Sequence, residues 1–172
     1  DEAIAAIGSP GNAKNALTVG ALLHGASTCP ATLYTTQGQW GSSIGPGSGW
    51  RDKPEISAPG SSTISAAGDD LSVGGEEPAL TKALSGTSMA APTVAGGAAL
   101  MRQYFAEGWY PRGVARGGDR LNPLAATLKA AVINSTGELI NSFIGETRLP
   151  SYITGWGRMY LDRDLYFPGD GR

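Results

Sequence analysis

Residues 84–100 read LSGTSMAAPTVAGGAAL, and the fold depends on what this stretch forms. Pro92 has no N–H to give to a helix interior, so a helix here must begin close to Ser88. The pattern carries it to Tyr104. Ala90, Ala91, Ala95, Gly96, Gly97, Ala98 and Ala99 leave it almost no polar face. Each glycine of the pair costs about 1 kcal/mol of helix propensity. A surface helix gains nothing in exchange, whereas one threaded through a core gains close approach by its neighbours. The stretch therefore predicts a central, buried helix with Ser88 at its leading end.

Upstream, NALTVGALL (Asn15–Leu23) reads as a short buried strand, with Gly20 where neighbouring backbone comes close. Gly38–Gly60 is turn-rich and predicts an irregular excursion, pinned by Trp40 and Trp50 and ending in a strand near Glu55–Ala58. Within it, Asp52 stands beside Arg51 and Lys53 in a solvated turn. Ser62–Ala67 alternates like another strand, and Asp69–Leu80 reads as an exposed acidic loop. Downstream, Asn122 and Pro123 predict a capped start to a helix over Leu124–Ile133, with Leu124, Leu128, Ala131 and Val132 on one side. Gly155–Phe167 predicts a tight turn, a short strand and a terminal helical turn. Short strands separated by helices indicate an α/β layered domain.

Composition narrows the function classes. With 172 residues, 41% hydrophobic and 16% charged, the chain suits one domain that buries roughly 70% of its unfolded surface. Thirteen basic residues against 15 acidic ones give a formal charge of −2 with no basic stripe, which argues against nucleic acid as a partner. No apolar run approaches the roughly 18 residues of a membrane span. The single Cys29 forms no internal disulfide and offers no zinc spacing. Glycine, at 26 residues, is about twice its usual share of roughly 7%, which implies tight turns and close backbone approaches.

Ser88 has two readings on residues alone. It is an ordinary helix cap, or it is a nucleophile whose attached oxygen faces the unpaired amides of the first turn, where developing negative charge is stabilised. Rigid placement at the head of a buried helix suits the second reading.

GTSMAAPTVAG (Gly86–Gly96) resembles the catalytic-serine signature of the subtilisin-like serine proteases. Further segments match that family in the same order: NALTVGA (Asn15–Ala21), KPEISAPG (Lys53–Gly60), LKAAVINST (Leu128–Thr136) and GWGRMYLDRDL (Gly155–Leu165). The resemblance implies a subtilisin-like three-layer α/β domain with a mostly parallel sheet, of which this chain is the C-terminal part. It also implies a serine endopeptidase in which Ser88 attacks the peptide carbonyl. Thr87 then borders the oxyanion hole, Gly86 lies near the substrate backbone, and Met89 sits on the leaving-group side as an oxidation-sensitive residue.

The serine needs a histidine base oriented by a carboxylate. The one histidine, His24, follows the VGALL strand and lacks the family's "HGT-VAG" context, so it reads as a loop residue. No aspartate matches the orienting position: Asp69 and Asp70 belong to the acidic loop. Asn12, in PGNAKN, lies too close to the following strand to match the oxyanion asparagine. The expectation is a split domain. An N-terminal portion on a companion polypeptide, from processing, nicking or a split arrangement, supplies aspartate, histidine and asparagine. Alone, the chain should expose unpaired strand edges and a bare face of the Ser88 helix. The resemblance further implies a secreted enzyme acting on peptide or protein substrates. It implies no cofactor for the chemistry, and leaves Ser42–Gly49 and Asp69–Glu77 open to bordering the substrate or binding a structural calcium; with no full calcium-loop pattern present, a plain solvated acidic loop is the alternative. The rival reading is an inactive pseudo-protease kept as a binding or scaffold module.

Overall fold

Two four-residue strands carry the centre of the fold. Val19–Leu22 (β1) and Ile56–Pro59 (β2) pair in parallel, with Val19 opposite Ile56 and Ala21 opposite Ala58. The computed structural model describes residues 7–23, 42–67, 81–137 and 149–170. Cys29, Trp40, His24 and the Asp69–Leu80 acidic stretch lie outside the described residues.

After β2 come an antiparallel hairpin, Thr63–Ala66 (β3) with Thr81–Leu84 (β4), and the long helix Thr87–Ala106 (α1). Ala125–Asn134 (α2), Thr136–Gly137 (β5), Arg158–Met159 (β6) and Leu161–Asp164 (α3) complete the order. The main sheet runs β1-β2-β6-β5. Its β1–β2 and β2–β6 pairings are parallel and β5–β6 is antiparallel, so this is a mixed α/β fold with a mostly parallel sheet.

α1 packs on β1 and β2 and against α2. Its buried residues, Ala90, Val94, Gly97, Met101 and Tyr104, recur at spacings of three and four and form one stripe. They meet Ala21, Ile56 and Ala58 from the sheet and Val132 from α2. Gly97 allows this approach, because a Cβ there would sit 2.8 Å from Met159 Sδ.

The other face of α1 is left uncovered by the described residues. Ala91, Pro92, Ala95, Gly96, Ala99 and Leu100 are exposed, and a Cβ on Gly96 would meet nothing within 4 Å. Composition counts small residues on both faces alike, but only one face is covered by the described residues. Pro92 lies in the second turn rather than the first, so the Ser88 carbonyl lacks its usual helical donor.

Other local expectations shift for physical reasons. Trp50 is 80% exposed and pins nothing. The excursion is held by polar contacts instead: Gly45 N–H to the Tyr152 carbonyl, Ser48 N–H to Asn12 Oδ1, and Arg51 Nη2 to the Asn12 carbonyl. Lys53 is not solvated but 1% exposed. Its Nζ donates to the carbonyls of Ala13 and Ala16, to Thr18 Oγ1 and to Glu55 Oε1. Glu55 Oε1 also takes Lys129 Nζ at 2.5 Å, and Oε2 accepts the Thr18 amide. This triad, with Lys53 and Glu55 buried and Lys129 half-buried, fastens the residue 13–18 loop and α2 to the start of β2. Asn122 does not cap α2; the cap position is Leu124, 75% exposed, and Asn122 Oδ1 instead accepts from Arg102.

Candidate active site

The turn carrying GTS is built from the ends of β1 and β2. Gly60, just past β2, donates its N–H to the Leu22 carbonyl at 2.8 Å and accepts the Gly86 N–H at 2.6 Å. A Cβ at Gly60 would lie 2.7 Å from the Gly86 carbonyl oxygen and 2.8 Å from Ala21 Cβ, so only glycine lets the three backbones meet. Ser85 Oγ accepts the Ser62 amide at 2.8 Å and braces the same turn from the β3 side. Gly86 has φ 142°, a conformation that side chains rarely adopt. That geometry swings the chain from the turn directly into α1.

Gly86, not Ser88, is the cap residue, and no side chain caps the helix. Its carbonyl receives the Met89 N–H at 3.0 Å. Thr87 and Ser88 occupy the first two helical positions, where amides have no intrahelical acceptor. Among the described residues neither amide finds a partner, and the Ser88 hydroxyl makes no hydrogen bond. Thr87 and Ser88 are exposed, while Gly86 and Met89 are half-buried. The first turn of α1 thus presents a free hydroxyl, unpaired amides and the positive end of a 20-residue helix, a set suited to holding an oxyanion beside a nucleophile. Thr93 Oγ1 caps the Met89 carbonyl at 3.2 Å and keeps its hydroxyl out of this group.

The remaining candidates sort cleanly. Asn12 is committed elsewhere: Nδ2 donates to the Ile7 carbonyl and Oδ1 accepts the Ser48 amide. Asp52 is exposed, and His24, Asp69 and Asp70 lie outside the described residues. Ser42–Gly49 contains no carboxylate, and its Ser42 Oγ accepts the Ala21 amide at 3.0 Å. Among the described residues no three His, Cys, Asp or Glu side chains gather as metal ligands, and no helix is long and apolar enough to cross a membrane. Reading the sequence alone missed Gly60. Its signal was the APG ending of the second strand, whose glycine follows directly on buried β2.

The sequence pattern of the subtilase family matches residues 1–157. The chain belongs to the subtilase family. Among its relatives is the Dictyostelium discoideum serine protease/ABC transporter B family protein tagD, 33% identical over 150 residues that cover 76% of this chain and 8% of that protein. The chain therefore spans less than a tenth of the length of that relative. Fervidolysin from Fervidobacterium pennivorans, a keratinolytic enzyme related to subtilisin, superposes with a TM-score of 0.56 at 22% identity, over 93% of this chain and 20% of that one. The patellamide maturation protease PatA gives 0.55 at 21% identity, over 91% and 44%. At those identities the two structures speak for the fold, and the fold of this subtilase chain is subtilisin-like across a partial domain. The subtilases are serine proteases, so at the level of the family this is peptidase sequence.

Proposed function

We propose that this chain supplies the nucleophile of a secreted serine endopeptidase, with Ser88 as the attacking residue. The observation that carries the reading is the state of the first turn of α1: an exposed Ser88 hydroxyl and Thr87 and Ser88 amides with no partner among the described residues. Ser88 Oγ gives its proton to an imidazole and attacks the scissile carbonyl. The oxyanion then rests on the Ser88 N–H, with Thr87 at the rim and Gly86 leaving room for substrate backbone. The imidazolium protonates the departing amine, and water releases the acyl group by the reverse path. Met89 packs half-buried on the leaving-group side.

The base, its orienting carboxylate and an asparagine donor come, in this proposal, from an N-terminal portion of the same domain carried on a companion polypeptide. The exposed small face of α1, running on from Ser88 through Ala91, Ala95, Gly96 and Ala99, supports that docking, as does β1 at the sheet edge among the described residues. Peptide or protein is the substrate. No cofactor enters the chemistry, and any structural calcium would draw on the acidic stretch Asp69–Glu77.

Fluorophosphonate labelling of the assembled protein, with intact-mass analysis of every chain present, tests the proposal. Ser88 is expected to be labelled, and Ser88→Ala to abolish labelling while leaving circular dichroism unchanged. A folded assembly in which Ser88 stays unlabelled refutes the nucleophile, and a companion chain without histidine marks an inactive binding module instead.

A further inference from the structure

A cleft of about 480 Å³ opens between the C-terminal half of α1, the last turns of α2, and α3. It lies about 20 Å along α1 from Ser88, at ~1.5 Å rise per residue to Met101, and no step of the peptidase chemistry reaches it. Its floor is apolar, formed by Met101, Ala131 and Leu165. One wall is aromatic: Phe105 and Tyr110 meet edge to face at 5.6 Å, and Tyr110 is 54% exposed. The lining carries one charge, Asp164.

Asp164 is placed for a ligand rather than for a protein cation. Its Oδ1 accepts the Asn134 amide at 3.0 Å, and Oδ2 has no hydrogen-bond partner among the described residues. The neighbouring Arg163 turns away, onto the Tyr160 ring at 4.6 Å and toward the Thr136 carbonyl. Lys129 is engaged by Glu55, and Arg112 by Asp119. Burial raises the Asp164 carboxyl above its ordinary value, with the Asn134 hydrogen bond pulling the other way.

We propose that this cleft binds an organic cation, an ammonium group on an apolar body, with Asp164 pairing the charge and the Phe105–Tyr110 corner covering it. The volume falls within the range of small-ligand sites, which are apolar with a few placed polar groups. A ring face within reach of a cation adds attraction that a neutral analogue lacks. The site does not depend on Ser88 being the nucleophile, so failure of labelling and failure of binding are separate results.

The test is titration calorimetry of the assembled protein with phenethylammonium, with 2-phenylethanol as the neutral match and Nα-acetyl-lysine amide as the side-chain form. Saturable binding of the ammonium and none of the alcohol is expected. Asp164→Asn, which keeps the Asn134 contact, should weaken binding about tenfold or more, as loss of a charge-assisted hydrogen bond does. Tyr110→Ala should weaken it several-fold. Binding of the lysine amide as well as the free amine identifies a peptide side chain as the source, and binding of the amine alone a free small molecule. Equal binding of the alcohol, no saturable binding of either cation, or unchanged affinity in Asp164→Asn overturns the proposal. The cation-against-alcohol comparison needs no variant, so it holds even if a substitution fails to fold.

Discussion

Gly60→Ala tests whether the sheet holds in place the turn that carries Ser88, the proposed nucleophile. The added Cβ would lie 2.7 Å from the Gly86 carbonyl oxygen, 2.8 Å from Ala21 Cβ and 3.3 Å from Ala90 Cβ. Carbon atoms pack at about 3.5–4.0 Å, so something must move by roughly half an ångström or more. Ala21 sits in β1 and Ala90 in the buried stripe of α1, both fixed by the core. Gly86 is held to Gly60 by one hydrogen bond at 2.6 Å and is the freest of the three to shift. Overpacking of this kind costs about 1–3 kcal/mol of stability. Moving Gly86 also tilts the first turn of α1, and with it the Ser88 oxygen and amide. Misplacement by about 1 Å is worth on the order of a hundredfold in rate.

The rate of fluorophosphonate labelling in the assembled protein reads the second effect, and a thermal melt reads the first. Gly60→Ala should lower the labelling rate by about tenfold to a hundredfold. Ala21→Gly in the same background removes the tighter of the two core contacts but neither the Ala90 contact nor the clash with the Gly86 carbonyl. It should therefore recover part of the stability and little of the rate. The two substitutions are then coupled in stability and uncoupled in labelling. A Gly60→Ala protein that is destabilised but labels at the wild-type rate refutes the idea that Gly60 positions Ser88.

Three other outcomes follow from the packing. Glu55→Gln leaves Lys53, 1% exposed, without its carboxylate and should cost about 3–5 kcal/mol in chemical denaturation, whereas Lys129→Met, at a half-buried site, should cost clearly less. Asp164 has a raised folded value, so its contribution to stability is present below the ordinary aspartate value near 3.8 and is lost as pH rises through the folded value. Without ligand, Asp164→Asn should accordingly melt higher than the parent at pH 7 and converge with it toward acid pH. Gly97→Ala drives a Cβ onto Met159 and should cost about 1 kcal/mol or more, and Met159→Ala should suppress that cost when the two are combined.

How much of this was legible in the sequence depends on the range of each interaction. β1, β2, α1 and α2 follow from local pattern, within a residue or a few of their observed ends. The hairpin strand β4 and the two-residue β5 do not, because each is defined by its partner rather than by its own residues. Lys53 reads as a turn lysine beside Asp52. It is buried because Lys129, 74 residues from Glu55, completes the triad, and no local pattern announces that pairing. Ser88 reads as a junction residue, yet the junction is Gly86, whose φ of 142° is a property of the backbone rather than of composition.

The small residues of α1 sharpen what the signature stretch means. Gly97 and Ala90 are small because β6 and the turn after β2 press on them: Met159 faces Gly97, and Gly60 faces Ala90. Gly96, Ala95 and Ala99 are small while nothing described in this chain touches that face, since a Cβ on Gly96 meets open space. A helix exposed there to water gains about 1 kcal/mol of propensity by replacing that glycine with alanine. The two halves of the helix therefore answer to different constraints. One is the sheet that this chain supplies, which fixes where Ser88 stands. The other would be a close neighbour for the bare face, the place that the function proposed above gives to a companion polypeptide.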